Sequence, residues 1–453
     1  MTMRQHIITG FIFLLTLALD VTGQPVWTLD RCIGYAWENN LSVHHQELGV
    51  RIQKTDYLQA NNNLLPSLAA QSSVDQYYGR SIDPSSNTYI DVQFMNNTYA
   101  IYTSVDLFSG FMKLNSIAME RYNYRAEQNK LQQVKNEVAF SVINGYFDVL
   151  LKEGLSSIAR ENFQLSREQL NYTSKLVEVG RKAGTDLLEI EANLATDSFL
   201  LVQAHHLLEQ ASLELKYEMN FPLEVNLEID TVIFSLFTGE MDTLTMNELF
   251  NLASETLPDM KIAENQLIAA KKEVNINQGA FSPKVGFYAG WNSVYATTLK
   301  DDSNEIIPFP DQIANNGSEY LGVGIEIPIF SKLSKYTALS KSRLKYQQAK
   351  VQYDDEANKL RMGVEKSLTD WRSARAEYES AQKQLIQSDK AYQAAVKKLD
   401  KGLISIIEFY IQKNKVFRAK TEVLRTGLQV LLKERYIRFL ITGSFLDGDV
   451  VKS

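Results

Sequence analysis

Two kinds of hydrophobic spacing alternate along the chain. Late in the sequence Val364, Trp371, Tyr378, Leu385, Tyr392 and Leu399 recur every seven residues, and Ser367, Ala374, Ala381, Ser388 and Ala395 follow three positions after the first five. This is the a/d seam of a coiled coil, with small residues in the second series that let helices approach closely. Shifted by 222 positions, the same lattice falls on Val142, Val149, Ser156, Phe163, Leu170 and Val177, beside Gly145, Lys152, Ala159, Ser166 and Thr173. The spacing predicts helices over Leu114 to Val179 and Ser334 to Asp400. At a rise of about 1.5 Å per residue, roughly 65 residues make a rod about 100 Å long, too long for a compact domain. A seven-residue period held over that length imposes left-handed supercoiling.

Elsewhere the period is two. Leu321, Val323, Ile325 and Ile327 alternate with Gly322, Gly324 and Glu326; Tyr99, Ile101, Val105 and Leu107 oppose Ala100, Tyr102, Ser104 and Asp106. Val285, Phe287, Ala289 and Trp291 alternate with Gly286, Tyr288, Gly290 and Asn292, and Leu68, Ala70 and Val74 with Ala69, Gln71, Ser73 and Asp75. These are four strands with one apolar face each, and each supplies the roughly 9 to 11 residues that a tilted strand needs to cross a bilayer. The turns between them are Gly79 to Thr88, with Asp83-Pro84, and Asp301 to Gly317, with Pro308 and Pro310. Tyr77, Tyr78, Tyr99, Trp291 and Tyr320 suit an interfacial aromatic belt or, equally, cross-strand packing. A soluble sheet covered by helices fits less well, because the second faces carry Gly, Ser and Asn. The smallest membrane barrels have about eight strands, so four in lipid leave unpaired edges and require oligomerisation.

The two patterns recur in one order. Leu65-Pro66-Ser67-Leu68 lies 217 residues before Ser282-Pro283-Lys284-Val285; then, at an offset of 222, Phe108-Ser109 matches Phe330-Ser331, Gly180 matches Gly402 and Asp186 matches Glu408. The extra five residues fall within Asp301 to Gly317. The chain is one unit duplicated, each copy reading short helix, two strands, long helix, turn, helix. The divisions are 1–23, a signal peptide; 24–220, the first repeat; 221–244, a connecting segment; 245–441, the second repeat; and 442–453, a C-terminal tail. In the connection Leu223, Val225, Leu227 and Ile229 alternate with Glu224, Asn226, Glu228 and Asp230, predicting a short strand or extended piece.

Composition agrees with this picture. The nine prolines leave 85–221 and 329–453 without any, as long helices require. Hydrophobic residues at 45% and charged ones at 22% exclude a disordered chain. A net charge of −7 without a basic stripe argues against a nucleic-acid partner. Arg4 and His6 precede the apolar run Ile7 to Leu19, and Val21-Thr22-Gly23 offers small cleavage-site residues, so a mature protein starts near Gln24. A retained helical anchor would need a longer run. The lone Cys32 allows no intramolecular disulfide, and Asp30-Arg31 before it do not form a lipobox, leaving a helix-face thiol. His44-His45 and His205-His206 are adjacent pairs that a helix sends to different faces, so no metal site is expected. Glu189 and Glu191 are spaced badly for joint acid and base work. With no phosphate loop, H-E-x-x-H or G-x-S-x-G either, the chain reads as no enzyme and as needing no cofactor.

Ile325-Glu-Ile-Pro-Ile-Phe330 and Gly402-Leu-Ile-Ser405-Ile-Ile-Glu408 resemble the strand-to-helix junction and the helical tip of the TolC-like outer-membrane efflux proteins. The first copy departs from both, with Val105-Asp-Leu-Phe108 lacking proline and Ala183 standing where the second has Ser405. The resemblance implies a mainly α fold with a β membrane part: an internally duplicated protomer of a trimeric β-barrel joined to a long α-helical coiled-coil tunnel. Twelve strands of a homotrimer would sit in outer-membrane lipid, and the helices would cross the periplasm. The implied function is the outer-membrane channel of a tripartite efflux or type I secretion system, a passive conduit from the periplasm or an inner-membrane pump to the exterior. The implied partners are that pump and a periplasmic adaptor protein. The tips Val179, Gly180, Arg181 and Lys401, Gly402, Leu403 match the family's adaptor-contacting segments; a plain helix-hairpin turn is the other reading of these glycines. Asp186 and Glu408 match the periplasmic gate, where threefold carboxylate rings attract cations; alternatively they only complement helix dipoles. Phe108, Pro328 and Phe330 mark strand-to-helix junctions. A secreted or periplasmic structural coiled-coil protein without a pore explains the heptads and the signal, but has no use for duplicated half-polar hairpins.

Overall fold

The computed structural model describes residues 26–82, 86–91, 93–231 and 245–446. The expected signal peptide, Pro84, the connection from 232 to 244 and the tail from 447 lie outside the described residues. The first half runs α1 (Leu29–Asn39), α2 (Leu41–Asn62), β1 (Ser67–Tyr77), the short strands β2 (Arg80–Ile82) and β3 (Tyr89–Asp91), β4 (Phe94–Ser109), α3 (Met112–Glu178) and α4 (Gly184–Met219). The second runs α5 (Met246–Thr256), α6 (Pro258–Gly279), β5 (Lys284–Ala296), α7 (Phe309–Asn315), β6 (Ser318–Glu326), α8 (Ser334–Asp400) and α9 (Ile406–Thr442). The order repeats, and α3 and α8 are each 67 residues long, within two residues of the predicted bounds.

The chain divides into two units. One holds residues 45–133 and 257–361, and with them the sheet. Its four long strands are antiparallel in the order β1-β4-β5-β6. The register aligns Ala70, Ile101, Trp291 and Glu319 in one row and Leu68, Thr103, Ala289 and Leu321 in the next, followed by Val105, Phe287 and Val323. Cross-strand neighbours share a face, so the apolar positions of all four strands fall on one side. Rows such as Ala69, Tyr102, Gly290, Tyr320 and Ser67, Ser104, Tyr288, Gly322 form the other. This divides the aromatic residues for which the sequence leaves belt and cross-strand packing both open. Tyr99 and Trp291 lie on the apolar face, whereas Tyr320 and Tyr77, which stacks on Phe94 with centroids 4.8 Å apart, lie on the polar one. A bulge between Asp106 and Phe108 shifts the register where β4 ends, and Gly110 follows at φ +61°. A β-carbon on Gly110 would stand 2.2 Å from the Gly279 carbonyl oxygen, so the chain leaves the sheet across bare backbone.

Among the described residues the other unit holds 26–44, 134–231, 245–256 and 362–446. The predicted seam is its core: Val142, Val149, Ser156, Val364, Trp371, Ala374 and Ala381 are buried. The connecting segment follows the sequence reading in part. Leu223 to Val225 turn, with Val225 N–H donating to the Pro222 carbonyl, whereas Ile229 forms an isolated parallel bridge with Trp27, whose N–H donates to the Glu228 carbonyl at 2.8 Å and whose carbonyl accepts from Asp230 N–H at 3.0 Å. Trp27 also packs edge-on against Tyr35 and Phe221.

Candidate functional site: the helical tips and a buried ion pair behind them

Both long helices end in the same way. Gly180 sits at φ +71° and Gly402 at φ +69°. Arg181 N–H donates to the Leu176 carbonyl at 2.7 Å and Leu403 N–H to that of Lys398 at 2.8 Å, while each glycine N–H caps the residue three back. This paired closure of a helix end requires the left-handed conformation that glycine adopts without a Cβ penalty. The turns leave Val179 and Leu403 about two-thirds exposed, flanked by exposed Arg181 and Lys401. Each tip therefore presents one apolar and one basic side chain to solvent.

Asp186 and Glu408 are the third residues of α4 and α9. The Ser405 hydroxyl accepts from Glu408 N–H at 3.2 Å, whereas Ala183 has no side chain to cap with, which explains the difference between the two copies. Each carboxylate thus complements the positive end of its helix. The described residues contain no cluster of metal ligands. His205 meets Arg160 at 3.2 Å. Cys32 faces inward on α1, fully buried, and burial pushes its thiol up to about 12. At the junctions Phe108 packs edge-on against Phe111, while Pro328 and the largely exposed Phe330 lie between β6 and α8.

Behind the tips Ile190, Ala395, Leu399, Ile406, Phe409 and Tyr410 form an apolar plug. Directly beyond it stands a charged group that the sequence reading missed. Lys413, 2% exposed, donates to Asp197 at 3.0 Å, to the Ser166 hydroxyl at 2.6 Å and to the Asn162 carbonyl at 3.3 Å. Asp197 also accepts from the Asn162 amide at 2.6 Å and from the Ser166 hydroxyl at 2.5 Å. Burial lowers the pKa of Lys413, and Asp197 opposes the shift. The cluster joins α3, α4 and α9, beside an open cleft of about 600 Å³ lined by Asn162, Asp197, Tyr410 and Phe417. A signal was present in the sequence: Lys413 continues the apolar spacing of Ile406, Phe409 and Val416, where a lysine interrupts a core position.

A profile of the outer membrane efflux protein family matches residues 32–218 and 249–443, one stretch in each half. The chain belongs to that family. It is an outer-membrane channel component of an efflux or secretion route, with its helical part in the periplasm. Among its relatives, outer membrane efflux protein BepC of Brucella suis is 20% identical over 358 residues, covering 79% of this chain and 73% of BepC. The fold is that of solved channels. The outer membrane protein VceC of Vibrio cholerae superposes with a TM-score of 0.77 at 14% identity, over 92% of this chain and 97% of VceC. The MtrE outer membrane channel of Neisseria gonorrhoeae, solved in an open state, gives 0.74 at 19% identity, over 93% and 90%. These likenesses support the channel and not the pore-free coiled-coil alternative. No helix among the described residues is long and apolar enough to cross a membrane, which says nothing of the strands.

Proposed function

We propose that three copies close one twelve-stranded barrel and that their long helices line a passive conduit running from the periplasm to the exterior. The observation that carries this is the sheet. Its apolar face is continuous across four strands, yet β1 and β6 each keep one edge without a partner strand among the described residues. In lipid every unpaired backbone group costs several kcal/mol. Copies of the same chain supply the missing neighbours.

The tips, each with an exposed apolar residue and a base, are the docking points for a periplasmic adaptor, which would bring an inner-membrane pump. Asp186 and Glu408 form carboxylate rings at the periplasmic entrance, where threefold repetition raises local cation concentration. Phe108, Pro328 and Phe330 mark where barrel passes into tunnel. The repeat boundaries follow the sequence divisions at 24, 221 and 245.

The test is conductance of the purified protein in a planar bilayer. Pores are expected, cation-selective in the wild type and less so in Glu408→Gln and Asp186→Asn. Pores with unchanged selectivity in both variants would remove the gate assignment, and no pores at all would remove the conduit.

A further inference from the structure

The polar face of the sheet carries three tyrosines, two of them where glycine leaves room. Tyr320 lies over Gly290: a β-carbon there would stand 2.6 Å from the Tyr320 hydroxyl oxygen and 2.7 Å from its Cζ. Tyr288 lies over Gly322, where a β-carbon would meet its Cζ and hydroxyl at 2.7 Å, and reaches Gly324 at 3.5 Å. Both side chains therefore reach across the neighbouring strand with their ring planes inclined 51° to one another. Their centroids are 6.3 Å apart. Tyr102 is in register with Gly290, on the side opposite Tyr320, and completes the group. All three remain 41 to 46% exposed.

Charge on these strands is lopsided. The polar face of β1, β4, β5 and β6 carries Asp75, Asp106 and Glu326 and one cation, Lys284, which is in register with Glu326 at the end of the sheet, while Glu319 shares the row of Ile101 and Trp291 on the other face. Asp106 is held 2.9 Å from Lys113 of α3. No Lys or Arg of these strands stands beside the rings. Ring faces carry a negative quadrupole. An anion is repelled by them, and a neutral aromatic gains stacking alone. An aromatic cation gains stacking and cation–π attraction together.

We propose that Tyr102, Tyr288 and Tyr320 form a binding subsite for aromatic cations in transit, repeated in each copy around the barrel lumen. The subsite rests on the channel reading above, since the conduit is what brings cargo to this face.

Block of single-channel current tests it, with benzyltrimethylammonium, tetramethylammonium and benzenesulfonate as probes. The aromatic cation should block the wild type at a concentration about tenfold below that of tetramethylammonium, and benzenesulfonate should not block. The combined Tyr102→Leu, Tyr288→Leu and Tyr320→Leu variant has no ring faces, so the two cations should become equivalent. The corresponding Phe variant should keep the preference. Tyr102→Leu alone disturbs no glycine floor; it should still assemble and lose about two- to threefold of the preference. A conducting wild type with no preference, equal block by the anion, or a preference that survives in the Leu variants would overturn the subsite while leaving the channel intact. A wild type without pores would overturn both.

Discussion

Lys413→Met isolates the buried ion pair. Methionine fills the lysine's volume but leaves Asp197 in the core with the Asn162 amide and the Ser166 hydroxyl, and without its cation. Removing one partner of a buried pair costs about 3 to 5 kcal/mol, far more than the net worth of the pair itself. No discount for solvent screening applies, because Lys413 is 2% and Asp197 6% exposed. Large membrane assemblies rarely unfold reversibly, so the measurement is amide hydrogen exchange in α4 and α9 around the cluster. A loss of about 3 kcal/mol speeds exchange by about a hundredfold or more. The double variant Lys413→Met with Asp197→Leu removes both charges and should return to within about tenfold of wild type.

The pH dependence separates the charge from simple packing. In Asp197→Leu burial no longer meets an opposing carboxylate, so the folded pKa of Lys413 drops further below 10.5. The unfolded chain then binds the extra proton, and stability rises with pH below 10.5. Lys413→Met has no such amine and should not show this rise. Exchange in the double variant as fast as in the single one, or a Lys413→Met protein indistinguishable from wild type, would refute the reasoning.

Three further outcomes follow from the geometry. Gly110→Ala should prevent assembly of the sheet unit, since its methyl meets the Gly279 carbonyl at 2.2 Å, whereas Gly286→Ala meets only the Val105 carbonyl at 3.8 Å and should give normal trimers on unheated gels. Cys32, buried and with its thiol pushed up to about 12, should resist maleimide in the folded protein and label fully in guanidinium; comparable rates in both states would show that α1 is not packed as described. Asp259 has a raised pKa, from burial first and Glu356 nearby, against the hydrogen bond from Gln133 at 2.8 Å. Its contribution is complete below 3.8 and is lost as pH climbs through the raised value, so Asp259→Asn should gain stability over wild type with rising pH, read as slower exchange in α6.

What was legible in the sequence was what repeats at short range. The seven-residue seam gave α3 and α8 nearly to the residue, because a heptad is a local property of one helix. The face of each strand followed from alternation for the same reason. What stayed hidden depends on partners distant in the chain. Lys413 and Asp197 are 216 residues apart, and Gly110 meets Gly279. Nothing in either local pattern specifies such a meeting. The Phe221 connection was legible in part: its alternation ends in a single bridge from Ile229 to Trp27, while its first residues turn.

The duplication sharpens this division. Counting back by the sequence offsets, Tyr288 corresponds to Gln71, Gly290 to Ser73, Tyr320 to Thr98 and Gly322 to Ala100, so the ring-over-glycine arrangement belongs to the second hairpin only. Lys413 corresponds to exposed Glu191, and Asp197 to buried Ala419, so the ion pair also has no counterpart. The seam, the tip glycines and the third-residue acids occur in both copies. Features shared by the copies are those that any such duplicated scaffold needs in order to build its walls and turns. Features private to one copy are not required by the scaffold, and they carry the costs: a desolvated ion pair in one place and exposed tyrosines on bare glycine in the other. Chemistry peculiar to this channel is therefore to be sought where the two halves disagree.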